Sequence, residues 1–288
     1  KLFSDTAGYH TIADNVSVGI SVRSGSAFST TTDYTDPPAA SYESKFLAAL
    51  AKGYHVGPTI DHDNHYTTFG RTNPSRTVVL SASLHRDSIM AAYKANRFYA
   101  SDDWNVKVNF TINGNFMGRE FSTIDNSSIS VSVYDPVLSS DDDDTTVKIE
   151  IYYGIPQSGI NASILISNTH NNSINYIHTT FINSIYYYFA KITQADGDII
   201  WTSPIWVKRN AVVLPIVLTQ FTGNRLKDDI QLNWTTAQEI NANYFDIEHS
   251  MDGNHFEKIG LVYSRYQHTS TPTNYTFTDV SPENGIHF

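Results

Sequence analysis

A two-residue alternation of apolar and polar side chains begins after Trp104 and recurs as far as residue 210. Apolar side chains at every second position lie on one side of a β-strand, so this period predicts half-buried strands. Asn113-Gly114 is a dipeptide typical of a hairpin turn. With the aromatic run over residues 185–192, the alternation predicts an antiparallel β-sandwich over residues 102–210. The alternating positions are Val106, Val108, Phe110 and Ile112, then Ile129, Val131 and Val133, then Val147, Ile149, Ile151 and Tyr153.

Residues 1–101 follow a different pattern, in which helices alternate with short strands. Apolar residues recur at helical spacing over residues 41–52, where Ser41 is a candidate cap and Gly53 a natural stop. A second helix is predicted over residues 84–97. Alternating strands return after residue 214, spaced about 10–15 residues apart. The predicted fold is multi-domain α/β plus all-β: an α/β domain over 1–101 followed by β-sandwiches over 102–210 and 214–288.

The charge balance and the residue types of the chain exclude several classes of partner and site. The formal net charge is −10 and the sequence pI is near 5.4. This balance argues against nucleic acid or an anionic membrane as the main partner. The chain has no cysteine, so thiolate metal sites and cysteine nucleophiles are excluded. No apolar run reaches the roughly 18 residues that a membrane-spanning helix needs, so no membrane span is predicted.

The densest group of metal-ligand side chains lies in Thr59–His65, which reads TIDHDNH. Asp61, His62, Asp63 and His65 supply the carboxylate and imidazole groups that usually bind divalent metal ions in hydrolytic sites. The helix, glycine and short strand that precede them predict that the cluster lies at the carboxyl end of a strand. Four neighbouring side chains cannot all face one ion, so further ligands must come from elsewhere.

Two arginines, Arg71 and Arg76, follow the cluster. A guanidinium group matches the geometry of phosphate and sulfate oxygens, so both are candidate phosphate contacts. The alternative is ordinary ion pairing within this acidic chain. The acidic run Asp141–Asp144 also has two interpretations, a solvated loop and a weak calcium site.

The stretch GYHVGPTIDHDNHYTTFG, followed by SRTVVLSASL and NRFYASDD, resembles the C-terminal part of the PHP superfamily of metal-dependent phosphoesterases. The resemblance covers residues 15–101. It implies that Asp63 and His65 bind a divalent metal ion (zinc, manganese or iron). The resemblance does not extend to Asp61 and His62, which are candidates for supporting positions beside the ligands. It also implies a small phosphorylated substrate. The family's early His-x-His motif does not occur in this sequence. If the N-terminus is cut, the remaining ligands lie upstream of Lys1; if the chain is whole, the site is incomplete.

The segments LPIVLTQFTGN and IQLNWTTAQEINANYFDIEHSMDGNHFEKIG, within residues 214–288, resemble a second family. This is the fibronectin type III-like module that precedes the sorting domain of type IX-secreted bacterial proteins. The resemblance implies an extracellular or cell-surface protein. The Asn-x-Ser/Thr and Asp-Ser/Thr motifs of the chain then become candidate sites of glycan modification. The final residues, ENGIHF, read as the opening of a further strand, so this module is expected to be truncated.

Two main functions follow from the sequence. The first is a secreted phosphoesterase that hydrolyses a phosphate ester with metal-activated water. The second is a catalytically inactive structural or adhesive protein that self-assembles into a surface or matrix material. The DNH motif at the expected strand end motivates the first, and the missing His-x-His motif and the β-rich tandem motivate the second. An array of carbohydrate-binding modules is a third interpretation.

Overall fold

A computed structural model describes residues 8–30, 40–68, 73–136, 145–210, 216–240, 242–266, 268–280, 282 and 285–288. The chain divides into two compact units, Lys1–Ala211 and Val212–Phe288. β-Strands dominate both units, which agrees with the β-sandwich content of the predicted fold. Among the described residues, none of the helices has the length and apolar character needed to span a bilayer.

The helices of the described residues are α1 (Thr11–Val16), α2 (Glu43–Lys52) and α3 (Arg86–Lys94). α2 ends, as predicted, at Gly53, whose φ of 99° lies in the left-handed region that glycine adopts without a steric penalty. The residue that precedes α2 is Tyr42 rather than the predicted cap Ser41.

The strands of the first unit form three sheets. The first sheet has the order β2-β1-β3; β1 and β3 are parallel and β2 is antiparallel to β1, and we call it the parallel sheet after its β1–β3 pair. The large sheet follows β11-β10-β13-β14-β5-β4 with β15 and β8 attached, and the small sheet has the order β12-β9-β6-β7. Their bounds are β1 (Gly19–Ser24), β2 (Ala40–Ser41), β3 (Gly57–Asp61), β4 (Arg76–Val79), β5 (Phe98–Ser101), β6 (Lys107–Ile112), β7 (Asn115–Phe116), β8 (Glu120–Thr123), β9 (Ser127–Tyr134), β10 (Thr146–Gly154), β11 (Ser163–Thr169), β12 (Ser173–His178), β13 (Ser184–Gln194), β14 (Ile199–Thr202) and β15 (Ile205–Arg209).

The hairpin between β6 and β7 has the predicted turn. Asn113 and Gly114 have φ values of 49° and 77°, and Ile112 pairs with Asn115 across the turn. Positive φ at both central residues is the type I′ geometry that Asn-Gly favours. β6 also shows the predicted alternation, with Val108, Phe110 and Ile112 all buried.

The large and small sheets pack face to face as a β-sandwich. Alternate residues of β6 and β9 share one buried core with residues of β10 and β13. The other face of the large sheet packs against α2 and the parallel sheet, so the first unit has three layers. The second core contains Val22, Phe46, Leu50, Phe189, Trp201 and Trp206.

β13 lies between these two cores and is buried on both faces. Tyr186 and Tyr188 point into the sandwich core, whereas Tyr187 and Phe189 point toward α2 and the parallel sheet. This double burial explains why its sequence, IYYYFAKI, does not alternate between apolar and polar side chains as a half-buried strand does.

The separate α/β domain predicted for residues 1–101 is not what the structure shows. β1 and β3 are parallel and are joined through α2, as in a βαβ unit. However, β4 and β5 run antiparallel and extend the large sheet, where Ala100 of β5 pairs with Trp201 of β14. The predicted boundary after residue 101 therefore lies inside a continuous sheet. The reason is that β5 is buried at all four positions and finds its partner strand in the following segment.

The second unit consists of two sheets. β17 is flanked by β16 on one side and by β21 and β20 on the other, and we call this the wide sheet. The narrow sheet is the antiparallel pair β18–β19. Trp234, Ile247 and Tyr275 form the buried core. The strand bounds are β16 (Val217–Leu226), β17 (Asp229–Ile240), β18 (Tyr244–His249), β19 (Glu257–Tyr263), β20 (His268–Thr269) and β21 (Thr273–Asp279).

Candidate functional site

The predicted ligand cluster follows the carboxyl end of a parallel strand. Asp61 is the last residue of β3 and lies beside Ser24, the last residue of β1. Because β1 and β3 are parallel, the loops that leave them emerge at the same edge of the sheet. We call residues 61–68 the ligand loop and residues 25–29 the neighbouring loop. This edge is where α/β folds place their binding sites.

Backbone and amide hydrogen bonds hold the two loops together. The Gly25 amide donates to the Asp61 carbonyl at 3.1 Å, and the His65 amide donates to the Ala27 carbonyl at 2.8 Å. The Asn64 side-chain amide donates to the carbonyls of Ser26 and Ser29. Asn64, the middle residue of the predicted DNH motif, therefore has a structural role in closing the loops.

Asp63 and His65, the two predicted metal ligands, lie close together. The His65 Nε2 lies 3.9 Å from the Asp63 Oδ1, and the two side chains are 56% and 54% exposed. Asp63 has a φ of 46°, and its amide donates to the Asp61 Oδ1 at 2.8 Å. The His65 ring stacks on Phe28, with ring centroids 5.0 Å apart. The loop thus presents one carboxylate and one imidazole to solvent.

These two groups suit a zinc, manganese or iron ion in their chemistry but are too few to make a complete site. Catalytic zinc sites use three protein ligands and keep one position for water. Within the described residues, no group of three or more His, Cys, Asp or Glu side chains is arranged to hold a metal ion. A metal ion held by Asp63 and His65 alone would bind weakly.

The two predicted supporting residues contact the protein itself. The Asp61 carboxylate accepts the Asp63 amide at 2.8 Å. The His62 Nε2 lies 3.0 Å from the Ser75 carbonyl oxygen. The first contact lies within the ligand loop, and the second links the loop to the segment that precedes β4.

Only one of the two arginines predicted to bind phosphate lies within the described residues. Arg71 lies outside the described residues, as does the acidic run Asp141–Asp144. Arg76 donates from Nη1 to the carbonyls of Asn73 and Ser75, at 2.9 and 2.7 Å. These bonds direct the Arg76 guanidinium to the backbone of the turn before β4.

A buried ion pair links β1 to the large sheet, and sequence reasoning missed it. Arg23 donates to the Asp102 Oδ2 through Nη2 at 2.9 Å and through Nε at 3.2 Å. The Ser75 hydroxyl and the Ile199 amide also donate to this carboxylate. Asp102 is fully buried, and burial raises its pKa against the opposing effect of Arg23. The partners are 79 residues apart in sequence, so no local pattern reports their contact.

The guanidinium of Arg23 also lies over the ring of Trp201, at 5.3 Å from its centroid. Trp201 belongs to the core that joins the large sheet to α2 and the parallel sheet. Arg23 is therefore used to attach β1 to the large sheet, and its side chain is only 15% exposed.

Asp198, near this ion pair, titrates far from the usual range of a carboxyl. Burial raises its pKa to about 7, and the nearby charges of Asp196, Asp102 and Asp103 add to the increase, whereas Arg23 opposes it. The folded protein therefore holds a proton that the unfolded chain releases at a lower pH. The stability from this group is fully present below the unfolded pKa and is lost as the pH rises through about 7.

Replacing Asp198 with asparagine, which mimics the protonated acid, is expected to stabilise the first unit above neutral pH. The gain near pH 8 should be about 1–2 kcal/mol after allowance for solvent screening, and it should vanish near pH 4. Urea unfolding at the two pH values measures it, with the exposed Asp125→Asn as the control. An equal effect of Asp198→Asn at both pH values would argue against this titration.

A comparison with protein-family models finds no match, and a comparison with curated proteins finds no similar sequence. The two family resemblances therefore stay predictions. The site itself consists of an exposed Asp–His pair at the carboxyl edge of a parallel strand pair.

Proposed function

We propose that this chain is a structural or adhesive protein of the cell surface and not a catalyst. The observation that carries the proposal is that the groups predicted to support the exposed Asp63–His65 pair contact the protein itself. Asp61 accepts the Asp63 amide, His62 contacts the Ser75 carbonyl, and Arg76 donates to backbone carbonyls. A catalytic site instead aims such groups at the position of the substrate.

The layered architecture also supports a structural role. The segment that resembles a phosphoesterase contributes two strands to the large sheet, and its helix α2 shares a core with β13 and β14. This segment thus serves to cover one face of the sandwich. The resemblance of residues 214–288 to modules of type IX-secreted proteins supports an extracellular or cell-surface location.

Assembly of the purified chain tests the proposed role. Sedimentation velocity over a range of concentrations is expected to show species larger than the monomer, and electron microscopy is expected to show ordered assemblies. Monodisperse monomers at every concentration would count against a self-assembling scaffold.

A second candidate function is metal-dependent hydrolysis of a phosphate ester. It is favoured by the 3.9 Å approach of Asp63 and His65 and by their exposure at the carboxyl edge of β1 and β3. A bound zinc, manganese or iron ion would supply an activated water. In this candidate, Asp63 and His65 hold the ion, and other ligands come from outside the described residues.

Calorimetric titration with Mn²⁺ or Zn²⁺ tests this candidate. Asp63→Asn keeps a side chain that tolerates the positive φ but removes the charge, so it should abolish any binding at the loop. The matched control is Asp87→Asn, because Asp87 and His85 form a similar exposed pair at 3.8 Å. Equal loss of binding in both variants would contradict a site at Asp63.

A further inference from the structure

The outer strand of the small sheet, β12, has a free edge. β12 pairs with β9 on one side, and no other strand of the described residues pairs with it. Its pairing with β9 is continuous over all 6 residues. The preceding strand, β11, lies at the edge of the large sheet and carries a register shift where it pairs with Ile151 and Tyr152. Because a bulge is one device that keeps an edge strand from pairing, β12 is the more open of the two edges.

The sequence around β12 lacks charge. Residues 151–190 contain no Asp, Glu, Lys or Arg, although such residues make up 17% of the chain. The histidine of β12, His178, has its Nδ1 2.9 Å from the Tyr188 hydroxyl, and burial lowers its pKa. Natural edge strands often carry charged side chains, especially Lys, which prevent pairing with another chain. β12 lacks this protection.

Alternate residues of β12 direct their backbone groups to the free edge. The Val133 amide donates to the Asn172 carbonyl at 2.8 Å, which makes these opposite residues a hydrogen-bonded pair. Such pairs alternate along an antiparallel ladder, so the even-numbered residues of β12 bond to β9. The residues whose amides and carbonyls point outward are therefore Ser173, Asn175 and Ile177. The Asn168 side-chain amide donates to the Ser173 carbonyl at 3.3 Å, which leaves that oxygen one lone pair.

A second copy of β12 matches this edge. In an antiparallel pair centred on Asn175, that residue lies opposite its own equivalent, and Ser173 lies opposite Ile177. All three outward-pointing residues then form hydrogen-bonded pairs. On the inner face, Ile174 of one copy would lie opposite Tyr176 of the other. Ile174 is 4% exposed and Tyr176 packs against the same core, so the cores of the two copies would meet.

The charge of the chain explains why a neutral edge suits a second copy. The formal net charge is −10, so two copies repel each other at long range. A two-fold contact brings the same surface of both copies together, so a charge near its centre would face a like charge. Residues 173–177 carry no charged side chain and avoid this cost.

We propose that the chain forms a two-fold dimer in which β12 of one copy pairs with β12 of the other, centred on Asn175. The small sheets of the two copies would then form one continuous sheet. A two-fold contact closes after two copies, so the dimer is the unit from which a larger assembly is built. The inference names the contact for the self-assembling role proposed above and rests on that role.

Sedimentation velocity of the whole chain measures the contact. The unchanged chain should show a dimer whose share rises with concentration. Asn175→Lys should raise the dissociation constant of the dimer roughly tenfold or more, because it places two like charges opposite each other. The matched control is Asn109→Lys, which should leave the dimer unchanged. Asn109 is exposed in β6 of the same sheet, and β9 separates it from β12. Circular dichroism checks that both variants fold.

Cross-linking locates the pair. The chain has no cysteine, so Asn175→Cys introduces a single thiol. Opposite Cα atoms of a hydrogen-bonded antiparallel pair lie about 5.5 Å apart, which is within the range that a disulfide spans. Oxidation with diamide should therefore convert Asn175→Cys to a covalent dimer in denaturing electrophoresis and should leave the control Asn109→Cys monomeric.

Two results would overturn this inference and leave the structural role intact. One is a dimer or larger assembly that persists unchanged in Asn175→Lys, and the other is equal cross-linking of Asn175→Cys and Asn109→Cys. Either result would assign assembly to another surface. Monomers at every concentration, without cross-linking, would remove the self-assembling role together with this contact. The failure of the contact is thus distinguishable from the failure of the role.

Discussion

Replacing Arg23 with alanine is expected to lower the free energy of unfolding of the first unit by about 3–5 kcal/mol. The Asp102 carboxylate is fully buried, and it would lose its counter-charge and two of its hydrogen bonds. Because burial already raises the pKa of Asp102, the variant is also expected to lose stability further as the pH rises. Urea unfolding measures both effects.

A surface ion pair provides the control for this substitution. Lys258 lies 2.6 Å from Asp246, but the two side chains are 49% and 39% exposed. Lys258→Ala should therefore cost far less stability than Arg23→Ala. The double variant Arg23→Ala, Asp102→Asn should be more stable than Arg23→Ala alone, because the uncompensated charge is gone. Similar costs for Arg23→Ala and Lys258→Ala would refute the attachment of β1 by this ion pair.

Replacing Trp234 with alanine is expected to unfold the second unit at room temperature. Trp234 is 3% exposed and contacts both Phe245 and Tyr275, with ring centroids 5.4 and 5.5 Å apart. A buried Trp→Ala change costs about 3–5 kcal/mol, which is comparable to the whole stability of a small unit. The core of this unit has only a few buried apolar residues to compensate for the loss.

Hydrogen exchange of the β17 amides measures this effect. The amides should lose their protection in Trp234→Ala and should keep it in the control Trp104→Ala, since Trp104 is 58% exposed. Protected β17 amides in Trp234→Ala would show that the second unit does not depend on this core.

Local patterns predicted the local structure of this chain. The alternation of Val108, Phe110 and Ile112 predicted β6, and Asn113-Gly114 predicted its turn, because both signals act over a few residues. Gly53 predicted the end of α2 for the same reason, since its left-handed φ is a property of one residue.

The arrangement of the layers was not predictable in this way. β5 pairs with β14, and Arg23 pairs with Asp102, across long separations that no local period reports. The run IYYYFAKI predicted a strand, but its burial on both faces depends on which layers pack against it. For this reason residues 1–101 resembled a separate α/β domain, although their last strands belong to the large sheet.

The candidate site, like the fold, was predictable only where its residues are close in sequence. Asp63 and His65 are close in sequence and lie close together in the structure, at 3.9 Å. Ligands from distant segments depend on the tertiary fold, so the composition of the TIDHDNH stretch could not indicate how many groups would join them.

The most direct test of the structural role is turnover of a phosphodiester by the purified chain. Bis(p-nitrophenyl) phosphate is incubated with the chain and with Mn²⁺, Zn²⁺ or Fe²⁺, beside blanks that contain only the metal. Because the exposed Asp63 and His65 are fewer than the three protein ligands that a catalytic zinc site uses, we expect no hydrolysis above the blanks. Metal-dependent hydrolysis that disappears in Asp63→Asn and persists in Asp87→Asn would contradict this account and establish the phosphoesterase.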